Sequence, residues 1–194
     1  MKKKILVLLG GISREREISL LSGKACFKAL KRKKYKVFKL DPKFNFIDKL
    51  RKIKPDIVFN ALHGRYGEDG FVQSILESEK IKYTHSGVLA SSIAIDKEIS
   101  KEIFIKNKIN TPKFFIYKFD SNKKLFYQIK KTKINFPVVI KPINEGSSLD
   151  VYICNKKNIK NKIKKSKINF PVVIKPINEG SSLDVYICNK KNIK

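Results

Sequence analysis

Short apolar runs of strand length alternate with segments whose apolar residues recur every three or four positions. This alternation restricts the first half of the chain to a parallel sheet covered by helices on both faces. Residues 5–9 (ILVLL) form the first run, closed by Gly10 and Gly11. Residues 17–32 follow with helical spacing, and Ile18, Leu21, Ala25 and Ala29 are the expected buried face. A second strand is expected over 35–40, a short helix over 46–53 stopped by Pro55, and a third strand over 56–62. Residues 64–70 read as a loop, 71–79 as a helix with Val72, Ile75 and Leu76 inward, and 81–84 as a fourth strand. The order β-α-β-α-β-α-β implies a Rossmann-like α/β unit with right-handed crossovers.

The pattern changes beyond residue 95. Asp96 is placed to cap a helix running to about residue 107, with Ile99 and Ile103 on one face, and Pro112 follows it. Strands are expected over 113–117, 136–141 and 151–154, with a helix over 123–130 and a small-residue loop over 144–148. This is the pattern of an α+β unit with hairpins. The expected division is 1–95 as a substrate-binding α/β domain, 96–160 as the start of a second domain, and 161–194 as a connector plus a copied segment.

The copy is literal. Residues 133–160 (KINFPVVIKPINEGSSLDVYICNKKNIK) recur letter for letter at 167–194, an offset of 34. Working repeat arrays have three or more units that drift at exposed positions. Two perfect copies suggest a recent duplication, or an artefact of sequence assembly, at the end of a broken reading frame. Residues 1–160 are therefore the informative part, and the second copies Lys175, Glu179, Ser181 and Ser182 receive no role. One structural expectation attaches to the copy: residues 172–175 could fill a sheet position, with Pro171 tolerated only at a strand start or edge.

Lys and Arg number 44 against 17 Asp and Glu, a formal charge of +27. The lysines are scattered and accompany many Ile and Asn residues, all served by A/T-rich codons. Solvated lysine faces explain this without a specific nucleic-acid partner, and aromatics are not set among basic residues in an RNA-binding pattern. No apolar run approaches a membrane span, so a cytoplasmic protein is expected. The three cysteines make no disulfide framework or zinc motif, and inert thiols in a reducing compartment are expected.

Parallel sheets place ligands at the carboxyl ends of their strands, where two loops stand. In 10–17 (GGISRERE) the glycines would let backbone amides approach a ligand, the helix start favours an anion, and Glu15 could instead hold a cation; a plain turn with helix-start glutamates accounts for it as well. It contains neither a Walker sequence nor GxGxxG. The second loop, 63–70 (HGRYGEDG), collects His63, Arg65, two carboxylates and three glycines. In the second half, Lys141 ends an apolar strand before Glu145-Gly146-Ser147-Ser148, an arrangement suited to phosphate.

Taken together, these segments resemble the D-alanine–D-alanine ligases of the ATP-grasp superfamily. The resemblance rests on LLGGxSxERExS at 8–19, HGxxGEDGxxQS at 63–74, Asp96-Lys97, and the run at 137–142 with 145–148, in order and at similar spacing. It implies an ATP-grasp central domain, incomplete here, and ligation of two D-alanines for peptidoglycan through an acyl phosphate. It implies that Glu15 holds the first D-alanine's ammonium and His63 lies near its carboxylate. Lys97 and Lys141 would contact ATP phosphates. Glu145, Gly146, Ser147 and Ser148 would form the covering loop, with Ser147 bonded toward Glu15. Leu149-Asp150 departs from the family's usual Val-Gly. Mg²⁺ or Mn²⁺ ligands are expected in a later domain, so a chain of these residues is expected to be inactive alone. Alternatives are a noncatalytic module keeping D-alanine or nucleotide affinity, and a ligase using D-lactate or D-serine second. A homodimer is compatible with the resemblance, and no membrane partner is implied.

Overall fold

The computed structural model describes residues 3–118, 122–146, 150–165 and 171–176. The chain divides into two units, Met1–Ile95 and Asp96–Lys194.

In the first unit, strands β1 (Lys4–Leu8), β2 (Lys36–Leu40), β3 (Ile57–Asn60) and β4 (Lys82–Tyr83) form one parallel sheet in the order β2-β1-β3-β4. Helices α1 (Arg16–Arg32), α2 (Phe46–Ile53) and α3 (Phe71–Ser78) connect them, and α4 (Val88–Ile95) closes the unit. Leu6, Leu8, Leu40, Leu50, Val58, Val72 and Leu76 form the core on one side of the sheet. Val7, Leu9 and Ala61 form the other, backed by Leu20, Phe27 and Leu30.

Helix α1 is turned away from the expected face. Ile18 and Leu21 are 39% and 69% exposed, and Ala25 and Ala29 are exposed too. The inward positions are Ser19, Leu20, Gly23, Phe27 and Leu30. The cause is close approach: a Cβ on Gly23 would collide with Leu9. The small residues Ser19 and Gly23 bring helix and sheet together, so periodicity of large apolar residues points the wrong way. Helix α4 occupies a segment read as a boundary. Its run VLASSIAI is apolar nearly all round and has no one-sided helical period to read.

The second unit holds α5 (Lys97–Lys106), β5 (Phe115–Tyr117), α6 (Asn122–Lys131), β6 (Val138–Pro142), β7 (Tyr152–Cys154), α7 (Ile159–Lys165) and β8 (Val172–Pro176). Asp96 caps α5, accepting from the Glu98 and Ile99 amides at 2.9 and 3.0 Å. Ile99 and Ile103 are 45% and 36% exposed, and Lys101 is the buried residue of that helix. The four strands run antiparallel in the order β5-β8-β6-β7. One face of this sheet joins Leu125, Ile129, Ile159 and Ile163 in a single apolar core with Val138, Ile140, Val172 and Ile174.

Strand β8 belongs to the second copy of the repeat, and it is a central strand. Pro171 precedes its first residue, where a missing N–H costs no ladder bond. It pairs with β6, the same five residues of the first copy, so that Ile140 faces Ile174, its own duplicate. The pairing is thus symmetric about that residue pair. The copied segment therefore has a structural role, and β6 is paired on both sides by β8 and β7 rather than left as an open edge. The remaining copied residues, Glu179, Ser181 and Ser182 among them, lie outside the described residues.

Candidate functional site

In the first sheet, β1 has β2 on one side and β3 on the other, so the chain direction switches between β1 and β3. Open parallel sheets bind ligands outside this switch point. Leu8 pairs with Asn60 at the carboxyl ends of these strands. The loops that follow are therefore neighbours, and they carry Glu15 and His63.

Hydrogen bonds lock both loops. Gly10 N donates to Ser19 Oγ at 2.8 Å, and Ser19 Oγ donates to Ala61 O at 2.7 Å, tying α1 to both strand ends. Gly11 N donates to Asp41 Oδ1 at 3.0 Å. Arg16 Nη1 donates to Gly11 O at 2.6 Å, and Arg16 Nη2 lies 2.7 Å from Asp41 Oδ2. Burial works against ionisation of Asp41, but the Arg16 guanidinium and the Gly11 amide outweigh it and hold the carboxyl below its ordinary value. The Gly10 and Gly11 amides, expected to meet a ligand, are thus taken by Ser19 and Asp41. The glycines serve the turn, at φ of 88° and 75°.

The second loop hangs from buried amides. Asn60 Nδ2 and Gln73 Nε2 both donate to Gly67 O, at 2.8 and 3.0 Å, and Asn60 Oδ1 accepts from the Leu62 amide. Gly64 has φ of 66°, and a Cβ there would strike the Glu15 carboxylate. The glycine is therefore required twice, for its backbone and for the room it leaves.

Glu15 is 3% exposed. Its amide receives Ser13 Oγ at 3.1 Å, and Ser13 Oγ donates to His63 O at 2.7 Å, a direct bridge between the loops. His63 Nε2 lies 2.9 Å from Ser22 Oγ, and its Nδ1 lies 3.6 Å from Glu68 Oε1. Glu68 Oε2 accepts from the Gly64 amide at 2.7 Å. Ligand atoms of Glu15, His63 and Glu68 all lie within 4.8 Å of one another. Glu68 and Ser22 were not singled out from the sequence. Glu68 was visible as a carboxylate in the glycine-rich loop, whereas Ser22 on a helix gave no signal. Beside this group opens a cleft of about 170 Å³, lined by Gly11, Ser13, His63 and Arg65 with Tyr66 and Phe71.

The cluster joins two carboxylates to an imidazole. Such a group suits a small cation or an organic ammonium. Its nitrogen donor and its hydrogen-bonded carboxylate do not make the all-oxygen octahedral site that Mg²⁺ prefers.

In the second unit, Lys97 Nζ donates to Ile143 O and Glu145 O at 2.9 and 2.5 Å, holding the segment after β6 against the start of α5. Lys141 lies at the end of β6, where burial depresses its ammonium pKa. Lys101, one turn beyond Lys97, and Lys175 on β8 are both buried. Neither was assigned a role from the sequence. Gly146 is described, while Ser147 and Ser148 lie outside the described residues, and with them the expected Ser147–Glu15 bond. Among the described residues, no helix is long and apolar enough to cross a membrane.

Residues 40–86 match the family profile described as D-ala D-ala ligase N-terminus. Residues 94–162 match the one described as RimK-like ATP-grasp domain. A D-alanine–D-alanine ligase of Pelagibacter ubique is 57% identical over 159 residues, covering 82% of this chain and 52% of that protein. The solved D-alanine–D-alanine ligase of Bacillus anthracis superposes with a TM-score of 0.74 at 34% identity, covering 92% of this chain and 58% of that one. The same enzyme complexed with ATP gives a TM-score of 0.70 at 30% identity, over 92% and 60% of the two chains. The chain spans about half the length of the curated relatives it matches.

Proposed function

We propose, from a chain that belongs by its matched residues to the D-alanine–D-alanine ligase family, that the whole protein joins two D-alanines with consumption of ATP, in the cytoplasm, for peptidoglycan and the cell wall. The observation that carries the reading is the buried Glu15 carboxylate beside His63 at the β1/β3 switch point.

Each group has a task that its chemistry fits. Glu15 accepts the ammonium of the first D-alanine, and burial strengthens that attraction by excluding water. His63, steadied through Ser22 and the Ser13 bridge, faces the substrate carboxylate. Glu68 orients the imidazole from its other nitrogen. In the second unit, Lys141 and Lys97 bind ATP phosphates, with Glu145, Gly146, Ser147 and Ser148 as the segment over them. A half-buried ammonium on a sheet face fits a polyanion, and Lys141 is such a group. ATP supplies the phosphoryl group that makes the first carboxylate reactive toward the second amine. Because phosphoryl transfer is mostly positioning and charge neutralisation, these cations contribute by holding the phosphate chain. Mg²⁺ or Mn²⁺ would serve the same end. The Glu15, His63 and Glu68 group does not fit that ion, and no step is routed through it.

A ligase that accepts D-lactate or D-serine second would use the same first-substrate pocket. A polypeptide of these 194 residues is expected to bind ligands without sustained turnover. The test is calorimetric titration with D-alanine. Binding that Glu15→Gln weakens by about tenfold or more supports the assignment, as expected for loss of a charge-assisted bond. Equal binding to wild type and variant overturns it.

A further inference from the structure

Three lysines of the second unit share one side of its sheet. The β6–β8 ladder pairs Val139 with Lys175 and Lys141 with Val173. Directly opposed residues of an antiparallel ladder lie on one face, as do residues two apart along a strand. Lys141 and Lys175 are therefore diagonal neighbours, roughly 7–8 Å apart along the sheet by standard ladder geometry. The other face carries Val138, Ile140, Val172 and Ile174 into the apolar core. The alternation thus separates a lysine face from a core face.

The third lysine comes from α5. Lys101 Nζ donates to Thr111 Oγ1 at 2.6 Å and stands 4.7 Å from the centre of the Phe114 ring. These contacts fix the ammonium in place. Burial lowers its pKa to about 8, and the charges that add to this effect are those of Lys141 and Lys175. The three ammonium groups therefore feel one another. Lys101 and Lys175 are 8% and 5% exposed, while the half-buried Lys141 opens the group to solvent. Cations gathered in a poorly hydrated place repel one another, and a multiply charged anion relieves that repulsion.

We propose that Lys101, Lys141 and Lys175 form a cradle for a polyphosphate chain, in which the copied strand β8 supplies a cation that the first copy of the block cannot. This rests on the reading that the second unit takes a nucleoside triphosphate, and it extends that reading to two further residues. The symmetric β6–β8 register accounts for the geometry. Because the strands are identical and pair about Ile140 and Ile174, the lysine of the second copy falls on the same face as Lys141.

The test is calorimetric titration of the 194-residue chain with ATP and with inorganic tripolyphosphate, in wild type, Lys175→Met, Lys175→Arg, Lys141→Met and Lys33→Met. Amide exchange across β6 and β8 reports folding of each variant. The expected result is that Lys175→Met weakens both probes by about tenfold, the size of one charge-assisted contact. Lys175→Arg, which keeps the charge, remains near wild type, and so does the exposed-site control Lys33→Met. If Lys141→Met weakens ATP while Lys175→Met does not, the nucleotide reading stands and the cradle is refuted. Equal loss in Lys33→Met refutes the cradle in favour of diffuse attraction to a basic chain. If wild type binds neither probe, the nucleotide reading and the cradle both fall. Should Lys175→Met lose β-sheet protection, Lys101→Gln takes its place, and unchanged binding there refutes the cradle.

Discussion

Gly64 concentrates the demands made on the first site. It holds φ of 66°, and a Cβ there would strike the Glu15 carboxylate. Gly64→Ala is expected to cost about 1–2 kcal/mol from the left-handed backbone alone and to abolish measurable D-alanine binding, by calorimetry, in protein that still melts cooperatively. Gly23 makes a different demand. Gly23→Val overpacks α1 against Leu9 and is expected to destabilise the first unit by about 1–3 kcal/mol in urea unfolding. Lys101 gives a pH signature. Its folded pKa is about 8 against an ordinary 10.5. Between those values the unfolded chain holds a proton that the folded chain has released, so stability rises with pH across that window. Below pH 8 both states are protonated and the cost of burying the charge is fully present. Lys101→Met is expected to flatten this rise between pH 8 and 10.5 in chemical denaturation. A slope unchanged from wild type would contradict the assignment.

Elements were legible where one face is buried by large side chains and obscure where small ones do the packing. Strands β1 to β3 announce themselves as apolar runs, and α3 buries Val72 and Leu76 as its spacing indicates. Helix α1 does not, because Ser19 and Gly23 set its approach to the sheet while Ile18 and Leu21 remain outside. Helix α4 lacked a one-sided period. Glu15 and His63 could be picked out by chemistry and by resemblance, since both sit in loops that follow strands. Ser22, Lys101 and Lys175 acquire their neighbours only through tertiary structure and strand register. The register itself predicts a weakness. Ile174 lies at the centre of the β6–β8 pair and is fully buried. Ile174→Asp is expected to cost more than about 3 kcal/mol, because it places a carboxylate in an apolar core. The readout is loss of amide protection in β5, β6 and β8 while β1 and β3 stay protected.

At the scale of the whole chain, two units carry two binding tasks: an amino-acid pocket in Met1–Ile95 and a phosphate-binding face in the residues from Asp96 onward. The charge of +27 is spread widely and by itself argues only for weak, salt-sensitive attraction to polyanions. Specificity must come from the few lysines and the buried glutamate that the folds hold in place. The most direct measurement is a crossed titration of the 194-residue chain with D-alanine and with ATP, in wild type, Glu15→Gln and Lys141→Met. The account predicts that Glu15→Gln loses D-alanine and keeps ATP, and that Lys141→Met loses ATP and keeps D-alanine. Binding of both ligands unaffected by either substitution, or no binding of D-alanine to wild type, would contradict it.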